Sequence, residues 1–161
     1  MKLFRITGAK HAATAREAFS GEGGRRFAGR WHTGGLPVVY TASSFSLAQL
    51  ETLVHTVNPS VLPKMVLVHA ELPSALKREH IDPATLPRDW ALHPPPAALQ
   101  ALGQAWLVRG ASVALVVPSA ISPDEENVLI NPLHPEFARI VLTEPPEPYE
   151  PDVRLHAPKR R

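Results

Sequence analysis

Three side chains in the stretch from Gly29 to His55 suit a phosphate-bearing substrate with a flat base. Arg30 follows a glycine-rich turn and offers a planar fork of N–H donors that matches phosphate oxygens. Tyr40 offers a ring that can stack on a base. Glu51 offers a carboxylate that can stabilise positive charge developing on a sugar. Together these residue types indicate a site that cleaves a nucleotide.

Each of these residues also has an ordinary structural explanation, and the sequence alone leaves both open. Arg30 is also typical of a surface arginine in a flexible loop. Tyr40 lies in an apolar segment, where a core tyrosine bonds its hydroxyl to the backbone. Glu51 lies beside an apolar helical stripe, where burial favours an ion pair with an arginine. Ser119, in VVPSAIS, either binds a ligand through its hydroxyl or caps the next turn.

The sequence lacks the short motifs of several common enzyme classes. There is no GxxxxGK[ST] phosphate loop, no GxSxG elbow and no HExxH zinc motif. The eight histidines form no tight cluster, and there is no cysteine to supply a thiolate. We therefore expect neither an ATPase, nor a serine hydrolase, nor a metal site. Asn127, Asn131 and His134 lie in turn-rich segments, and we assign them local backbone roles.

Composition indicates a single globular domain. The chain has 161 residues, of which 44% are hydrophobic and 20% charged, a balance typical of folded proteins. The absence of cysteine and of any long apolar run favours a cytoplasmic protein that does not span a membrane. The net charge is +2 and the pI about 9.2. Because the basic end Lys159–Arg161 accounts for much of this excess, a nucleic-acid-binding regulator is a weaker hypothesis, as is a non-catalytic partner-binding scaffold.

The hydrophobic pattern predicts more strands than helices. Predicted strands are Leu3–Ile6, Pro37–Ala42, Met65–Leu72, Ser112–Val117, Asn127–Ile130 and Arg139–Thr143. Predicted helices are Ala12–Phe19, a segment that begins after Ser43 or Ser44, and Ala97–Val108, with one helical turn near Ala75–Arg78. The strands and helices do not alternate regularly, which favours a mixed α+β fold over a doubly wound parallel sheet. We predict one domain over 1–143 and a proline-rich, basic tail over 144–161.

The helix after Ser44 is amphipathic and would position Glu51. Leu47, Leu50, Val54 and Val57 follow the helical repeat, so we expect them to face the core. Glu51 is four residues from Leu47 and would project from the edge of that stripe.

The order of these segments resembles the RES family. GRW, PVVYTA, LETLVH, VPSA and NVLINPLHPEF occur in the order and spacing of that family, over about residues 2–143. The family is named for its arginine, glutamate and serine, and its members are toxins of bacterial toxin–antitoxin pairs. The resemblance implies a fold similar to that of ADP-ribosyltransferase toxins, with small, mostly antiparallel sheets and flanking helices.

The resemblance also implies NAD+ as the substrate. Members of the family destroy NAD+ by hydrolysis or phosphorolysis, or transfer its ADP-ribose to a protein. Arg30, Glu51 and Ser119 match the naming triad, which implies that they are catalytic. Arg30, Trp31, Tyr40 and Ser119 are implied to bind NAD+, with the arginine on the diphosphate and the serine hydroxyl on the nicotinamide or ribose.

Two neighbouring positions and a partner complete these expectations. Arg25 or Arg26 would help Arg30 to hold the diphosphate, and His32 departs from the asparagine that often follows GRW in the family. The resemblance implies an antitoxin with a helix-turn-helix domain of the Xre type, which blocks the cleft and binds the promoter. The toxin itself is expected to contact neither DNA nor a membrane, and to form a homodimer within such a complex.

Overall fold

The computed structural model describes residues 1–55 and 63–156, and in these residues eight strands and four α-helices are defined. The strands are β1 Lys2–Gly8, β2 Val39–Ala42, β3 Met65–Glu71, β4 Arg78–His80, β5 Ala114–Pro118, β6 Glu126–Ile130, β7 Val141–Leu142 and β8 Glu147–Tyr149. The helices are α1 Ala15–Ala18, α2 Glu22–Arg26, α3 Phe45–Val54 and α4 Ala97–Arg109.

The strands form one sheet in the order β4-β5-β6-β2-β1-β3-β7, and β8 also pairs with β3. All pairs are antiparallel except β4 with β5. The prediction of a mixed, mostly antiparallel α+β fold is confirmed. The strands adjacent in the sheet are often distant in sequence, so the sheet brings residues near 5, 40 and 127 together.

The sheet opens between β1 and β2. On one side β1 pairs with β3 along its whole length, from Lys2 opposite Glu71 to Gly8 opposite Met65. On the other side β1 pairs with β2 at a single position, Phe4 opposite Ala42. Because the two strands diverge beyond that pair, the backbone edges that face each other there lack a strand partner. The opening forms part of the wall of a large cavity.

Three hydrophobic clusters hold the sheet to its helices. One cluster packs α1 and the adjoining Phe19 against one face of the central strands, and includes Leu3, Val39, Val68 and Ile130. The second packs α4 against β5 and β6, and includes Trp31, Leu99, Trp106 and Leu129. The third is small and packs Leu47 and Ala48 of α3 against Ala42, Phe4 and Ile6. The cavity lies beside this third cluster.

The start of α3 is as predicted, but its buried face is narrower than the sequence suggested. Ser44 is the N-cap, and its hydroxyl accepts a hydrogen bond of 3.1 Å from the amide of Leu47. Leu47 is fully buried, whereas Leu50 is 39% and Val54 58% exposed. The prediction that these two residues face the core is wrong, because α3 touches the sheet only through its first turns. Val57 lies outside the described residues.

Two other predicted elements differ from the observed ones, and α2 was not predicted. Helix α2 is preceded by Gly21, which has a φ of 75°. The predicted helix over Ala12–Phe19 is reduced to the short α1, capped by the Thr14 hydroxyl. Near the helical turn predicted at Ala75–Arg78 there is a single hydrogen-bonded turn, in which the amide of Leu76 donates to the carbonyl of Pro73. It does not continue as a helix, because β4 begins at Arg78 and pairs in parallel with β5.

Part of the segment after residue 143 packs on the sheet. Strand β8 pairs with β3, with Met65 opposite Tyr149, and the Tyr149 side chain is 8% exposed. The Glu144 carboxylate accepts a hydrogen bond of 2.7 Å from the amide of Ala15. The domain boundary at residue 143 stays a prediction. None of the helices in the described residues has the length and apolar character needed to cross a membrane.

Candidate functional site

A cavity of about 1020 Å³ lies at the opening between β1 and β2. Its wall includes parts of β1, β2 and α3, the loop that carries Arg30, and the proline-rich segment before α4. The polar residues in this wall that have the chemistry to contact a ligand include Arg5, Arg30, Tyr40, Glu51 and Asn127. The structure thus brings the three residues of the Gly29–His55 stretch to one cavity.

The Glu51 carboxylate is held by two side chains on the same oxygen. Its Oε1 accepts a hydrogen bond of 3.0 Å from the Ser119 hydroxyl and one of 2.5 Å from the Asn127 amide nitrogen. The Nε2 of the mostly exposed His55 ring lies 4.0 Å from Oε2. The Glu51 side chain is 26% exposed. One oxygen is therefore fixed by the protein, and the other is available to a ligand.

Ser119 serves both the turn and the carboxylate. Its hydroxyl accepts hydrogen bonds of 3.1 Å from the amide of Ile121 and 3.2 Å from that of Ser122. The same hydroxyl donates to Glu51, and the residue is fully buried. The backbone thus orients the hydroxyl so that its one proton points at the carboxylate. Direct contact of Ser119 with a ligand stays a prediction.

Arg30 connects the cavity to the proline-rich segment. Its Nη1 donates hydrogen bonds of 2.6 Å to the carbonyl of Trp90 and 3.0 Å to that of Leu92. Burial lowers the pKa of the Arg30 guanidinium, while the negative charge of Glu51 acts in the opposite direction. Arg30 and Glu51 line the same cavity, so both can act on one ligand.

The Tyr40 hydroxyl is fully engaged at the back of the cavity. The His32 Nε2 lies 2.7 Å from the carbonyl of Gly24, so this nitrogen carries a proton and donates it. In the neutral ring Nδ1 is then an acceptor, and the Tyr40 hydroxyl donates to it over 2.9 Å. The same hydroxyl accepts from the amide of Trp31 at 3.2 Å. Burial raises the pKa of the phenol, so Tyr40 is neutral at physiological pH.

Trp31 lies between the cavity and α4. Its ring is 2% exposed and belongs to the cluster formed with Leu99 and Trp106. Its backbone carbonyl lies against Gly103, where an added Cβ atom would come within 1.8 Å of the oxygen. Helix α4 therefore positions the GRW segment by direct backbone contact. The predicted role of Trp31 in binding stays a prediction.

Sequence reasoning missed two polar residues of this wall. Asn127 was assigned a local backbone role, but its side chain reaches Glu51, which is far away in sequence. Arg5 also lines the cavity, whereas Arg25 and Arg26 are turned toward Glu22 and do not contribute to the wall. No local signal marked Arg5, because the alternation in β1 places it on the same side as the core residue Leu3. In the described part of the chain, no group of three or more His, Asp or Glu side chains is arranged to hold a metal.

Comparison with known proteins confirms the resemblance drawn from the motifs. The family described as RES domain matches residues 2–152. A protein named Toxin Res from Photorhabdus laumondii is 38% identical over 143 residues, which are 89% of this chain and 89% of that protein. A protein named Prs ADP-ribosylating toxin from a Sphingobium species is 40% identical over 120 residues, or 73% and 74% of the two chains.

A solved structure supports the fold independently. It is the crystal structure of the Mycobacterium tuberculosis MbcT–MbcA toxin–antitoxin complex, and the similar chain superposes with a TM-score of 0.69 at 22% identity. The match covers 89% of this chain and 81% of the other. The mixed architecture with its open, mostly antiparallel sheet is thus shared with a known protein.

Proposed function

This chain belongs to the RES-domain family, and we propose that it is the toxin of a toxin–antitoxin pair, an enzyme that breaks the bond between nicotinamide and ribose in NAD+. Relatives that align over most of their length carry the name toxin. NAD+ as the substrate and its cleavage are what the family resemblance implies, and the chemistry of the cavity supports both.

The observation that carries this proposal is the fixed carboxylate of Glu51. Ser119 and Asn127 both donate to Oε1, so the side chain cannot turn away from the cavity without losing two hydrogen bonds. A charge that is already oriented costs no reorganisation when positive charge develops opposite it. A structural ion pair between Glu51 and an arginine, which the sequence left open, is not formed in the described residues.

The bond that breaks joins the ribose anomeric carbon to the pyridinium nitrogen. The electron pair of that bond leaves with nicotinamide, which becomes neutral and needs no proton from a general acid. The sugar is left with oxocarbenium character, and the free Oε2 of Glu51 is suited to stabilise it. Arg30 would hold the diphosphate through its guanidinium, and the Tyr40 ring would stack at the nicotinamide end of the substrate.

A nucleophile then bonds to the same carbon. Water that attacks and loses a proton yields ADP-ribose, and inorganic phosphate yields ADP-ribose 1″-phosphate. Either small acceptor needs only a small opening beside the ribose. The exposed share of the Glu51 side chain supports such access. We therefore propose depletion of NAD+ by hydrolysis or phosphorolysis.

The second candidate is transfer of ADP-ribose to a cellular protein. The observation that favours it is the relative named Prs ADP-ribosylating toxin, which is 40% identical to this chain. In this case a nucleophilic side chain of the target replaces water in the last step, and the cleavage step is the same. Both candidates therefore depend on the same carboxylate.

A partner antitoxin belongs to the same proposal. The solved neighbour was crystallised as a toxin–antitoxin complex. We propose an antitoxin with a helix-turn-helix domain of the Xre type that covers the cavity and binds the promoter, so that this chain itself contacts no DNA.

Product analysis separates the candidates in one experiment. The full chain is incubated with NAD+ in three mixtures: buffer alone, buffer with phosphate, and buffer with cell lysate. Mass spectrometry then detects nicotinamide together with ADP-ribose, ADP-ribose 1″-phosphate or proteins whose mass has risen by one ADP-ribose. Free ADP-ribose or its phosphate supports depletion, and modified protein with neither small product supports transfer. NAD+ that remains intact in all three mixtures contradicts both.

A further inference from the structure

Arg5 is a second cation in the cavity wall, and nothing in the naming triad accounts for it. It lies in β1 at the point where that strand diverges from β2. Its Nε donates a hydrogen bond of 2.8 Å to the carbonyl of Ala18, and its Nη1 donates one of 2.9 Å to the carbonyl of Tyr40. The guanidinium therefore bridges the opening and satisfies a β2 carbonyl that faces the diverging strand.

These two bonds leave the Arg5 charge without an opposite charge. Among the described residues no carboxylate lies within ion-pair distance of Arg5, and its Nη2 has no protein acceptor. Desolvation lowers the pKa of Arg5 to about 10, so the group is still cationic at neutral pH. A desolvated charge that only meets neutral carbonyls is costly. An anion in the cavity would compensate that cost.

The charges in the cavity wall match a dinucleotide that carries a pyridinium. Arg5 and Arg30 supply two positive charges and Glu51 one negative charge, which leaves +1 with the histidines neutral. NAD+ carries two phosphate charges and one pyridinium charge, which leaves −1. Arg5 bonds the carbonyl of Tyr40, and both arginines line the same cavity as that residue. With only Arg30, the diphosphate would meet one cation for its two charges.

We propose that Arg5 is a second contact for the diphosphate, so that the site takes nucleoside diphosphates through two arginines in the wall of one cavity. This inference rests on the proposed function for the identity of the whole substrate. It goes beyond that function in naming a binding residue outside the motifs. The Nη2 group would donate to a phosphate oxygen while Nε and Nη1 keep their carbonyl partners, so binding would need no rearrangement of β1.

The test compares two probes that differ only in the diphosphate. Calorimetry measures the affinity of ADP and of adenosine for the full chain, for Arg5→Gln and for the control Arg139→Gln, whose arginine is exposed and paired with Glu136. If the contact is charge-assisted, Arg5→Gln should lower the affinity for ADP roughly 10- to 100-fold and leave the affinity for adenosine unchanged. The control should bind both probes like the unchanged chain. If Arg5→Gln fails to fold, Arg5→Lys replaces it in the test. Because lysine keeps the charge, we expect a smaller loss of affinity for ADP and unchanged affinity for adenosine.

Three results would overturn the inference: no binding of ADP to the unchanged chain, unchanged ADP affinity in the variant, or an equal loss for ADP and adenosine. The last result would mean that Arg5 only supports the backbone. Nicotinamide release from NAD+, measured in parallel, reports on the proposed reaction separately. If ADP binding depends on Arg5 but NAD+ is not cleaved, the result supports the contact between Arg5 and the diphosphate and contradicts the proposed reaction.

Discussion

At Glu51 both hydrogen bonds from the protein fall on one oxygen, and this asymmetry decides what the residue can do. Oε1 is occupied by Ser119 and Asn127, while Oε2 accepts no hydrogen bond from the described residues. A carboxylate buried by chance would pair both oxygens or shift toward an arginine. The arrangement orients a negative charge without neutralising it. Ser119 and Asn127 are positioning residues in this arrangement.

Replacing Asn127 tests that role. Asn127→Ala removes one of the two donors to Oε1, and we expect NAD+ cleavage to fall about tenfold. Asn127→Asp places a second carboxylate next to Glu51, where like charges repel, and we expect a larger loss than for Asn127→Ala. Nicotinamide release from NAD+ measures both variants. An Asn127→Ala protein that cleaves NAD+ at the unchanged rate would contradict the positioning role.

Site residues that stand out by their type in the sequence could be predicted. Site residues that reach the cavity only because of the strand order could not. Arg30, Tyr40 and Glu51 stand out by type within one short stretch. Asn127 and Arg5 reach the cavity because β6 and β1 flank β2 in the sheet. No local pattern in the sequence specifies that neighbourhood, since strand order depends on contacts that are distant along the chain.

Helix α4 acts on the site through its backbone. Gly103 lies against the carbonyl of Trp31, the residue that follows Arg30. The sequence predicted the position of α4 and its end at Gly110, which takes a left-handed conformation with φ of 56°. It did not predict that the Trp31 backbone approaches the helix at Gly103. From the sequence alone, a glycine in the middle of a helix indicates only a lower helix propensity.

Gly103→Ala separates propensity from packing. In an isolated helix, replacing glycine by alanine would stabilise the helix by about 1 kcal/mol. Here the new Cβ would lie 1.8 Å from the Trp31 carbonyl oxygen, so we expect a loss of at least about 2 kcal/mol in the free energy of unfolding. Urea denaturation followed by circular dichroism measures this. The control Ala105→Gly, at an exposed position of the same helix, should cost only about 1 kcal/mol. A variant Gly103→Ala as stable as the unchanged chain would contradict the close contact.

At the scale of the whole molecule, the opening in the sheet is what creates a site. A continuous β1–β2 ladder would leave no cavity beside α3, and Arg5 would have no carbonyl to bridge. The mixed, mostly antiparallel class could be predicted from the number and order of strands. The opening could not, because the hydrophobic pattern of each strand is the same whether its neighbour pairs with it along its whole length or at one position.

The C-terminal strand gives a prediction about the whole fold. A chain that ends at residue 143 lacks β8 and the Glu144 contact to Ala15, and it exposes the edge of β3. Because Tyr149 is 8% exposed in the full fold, we expect its loss to cost about 2 kcal/mol or more. Thermal unfolding should show a lower Tm for this chain than for one that ends at residue 156. Equal Tm values would mean that residues 144–156 add nothing to the domain.

The most direct measurement is nicotinamide release from NAD+ by the unchanged chain and by Glu51→Gln. The glutamine oxygen can still accept from Ser119 and Asn127, so the fold should be kept while the charge is lost. We expect release to fall at least about 100-fold, with circular dichroism and Tm close to those of the unchanged chain. Glu71→Gln, at an exposed position on β3, should release nicotinamide at the unchanged rate. Turnover by a folded Glu51→Gln protein equal to that of the unchanged chain would contradict the central role of this carboxylate.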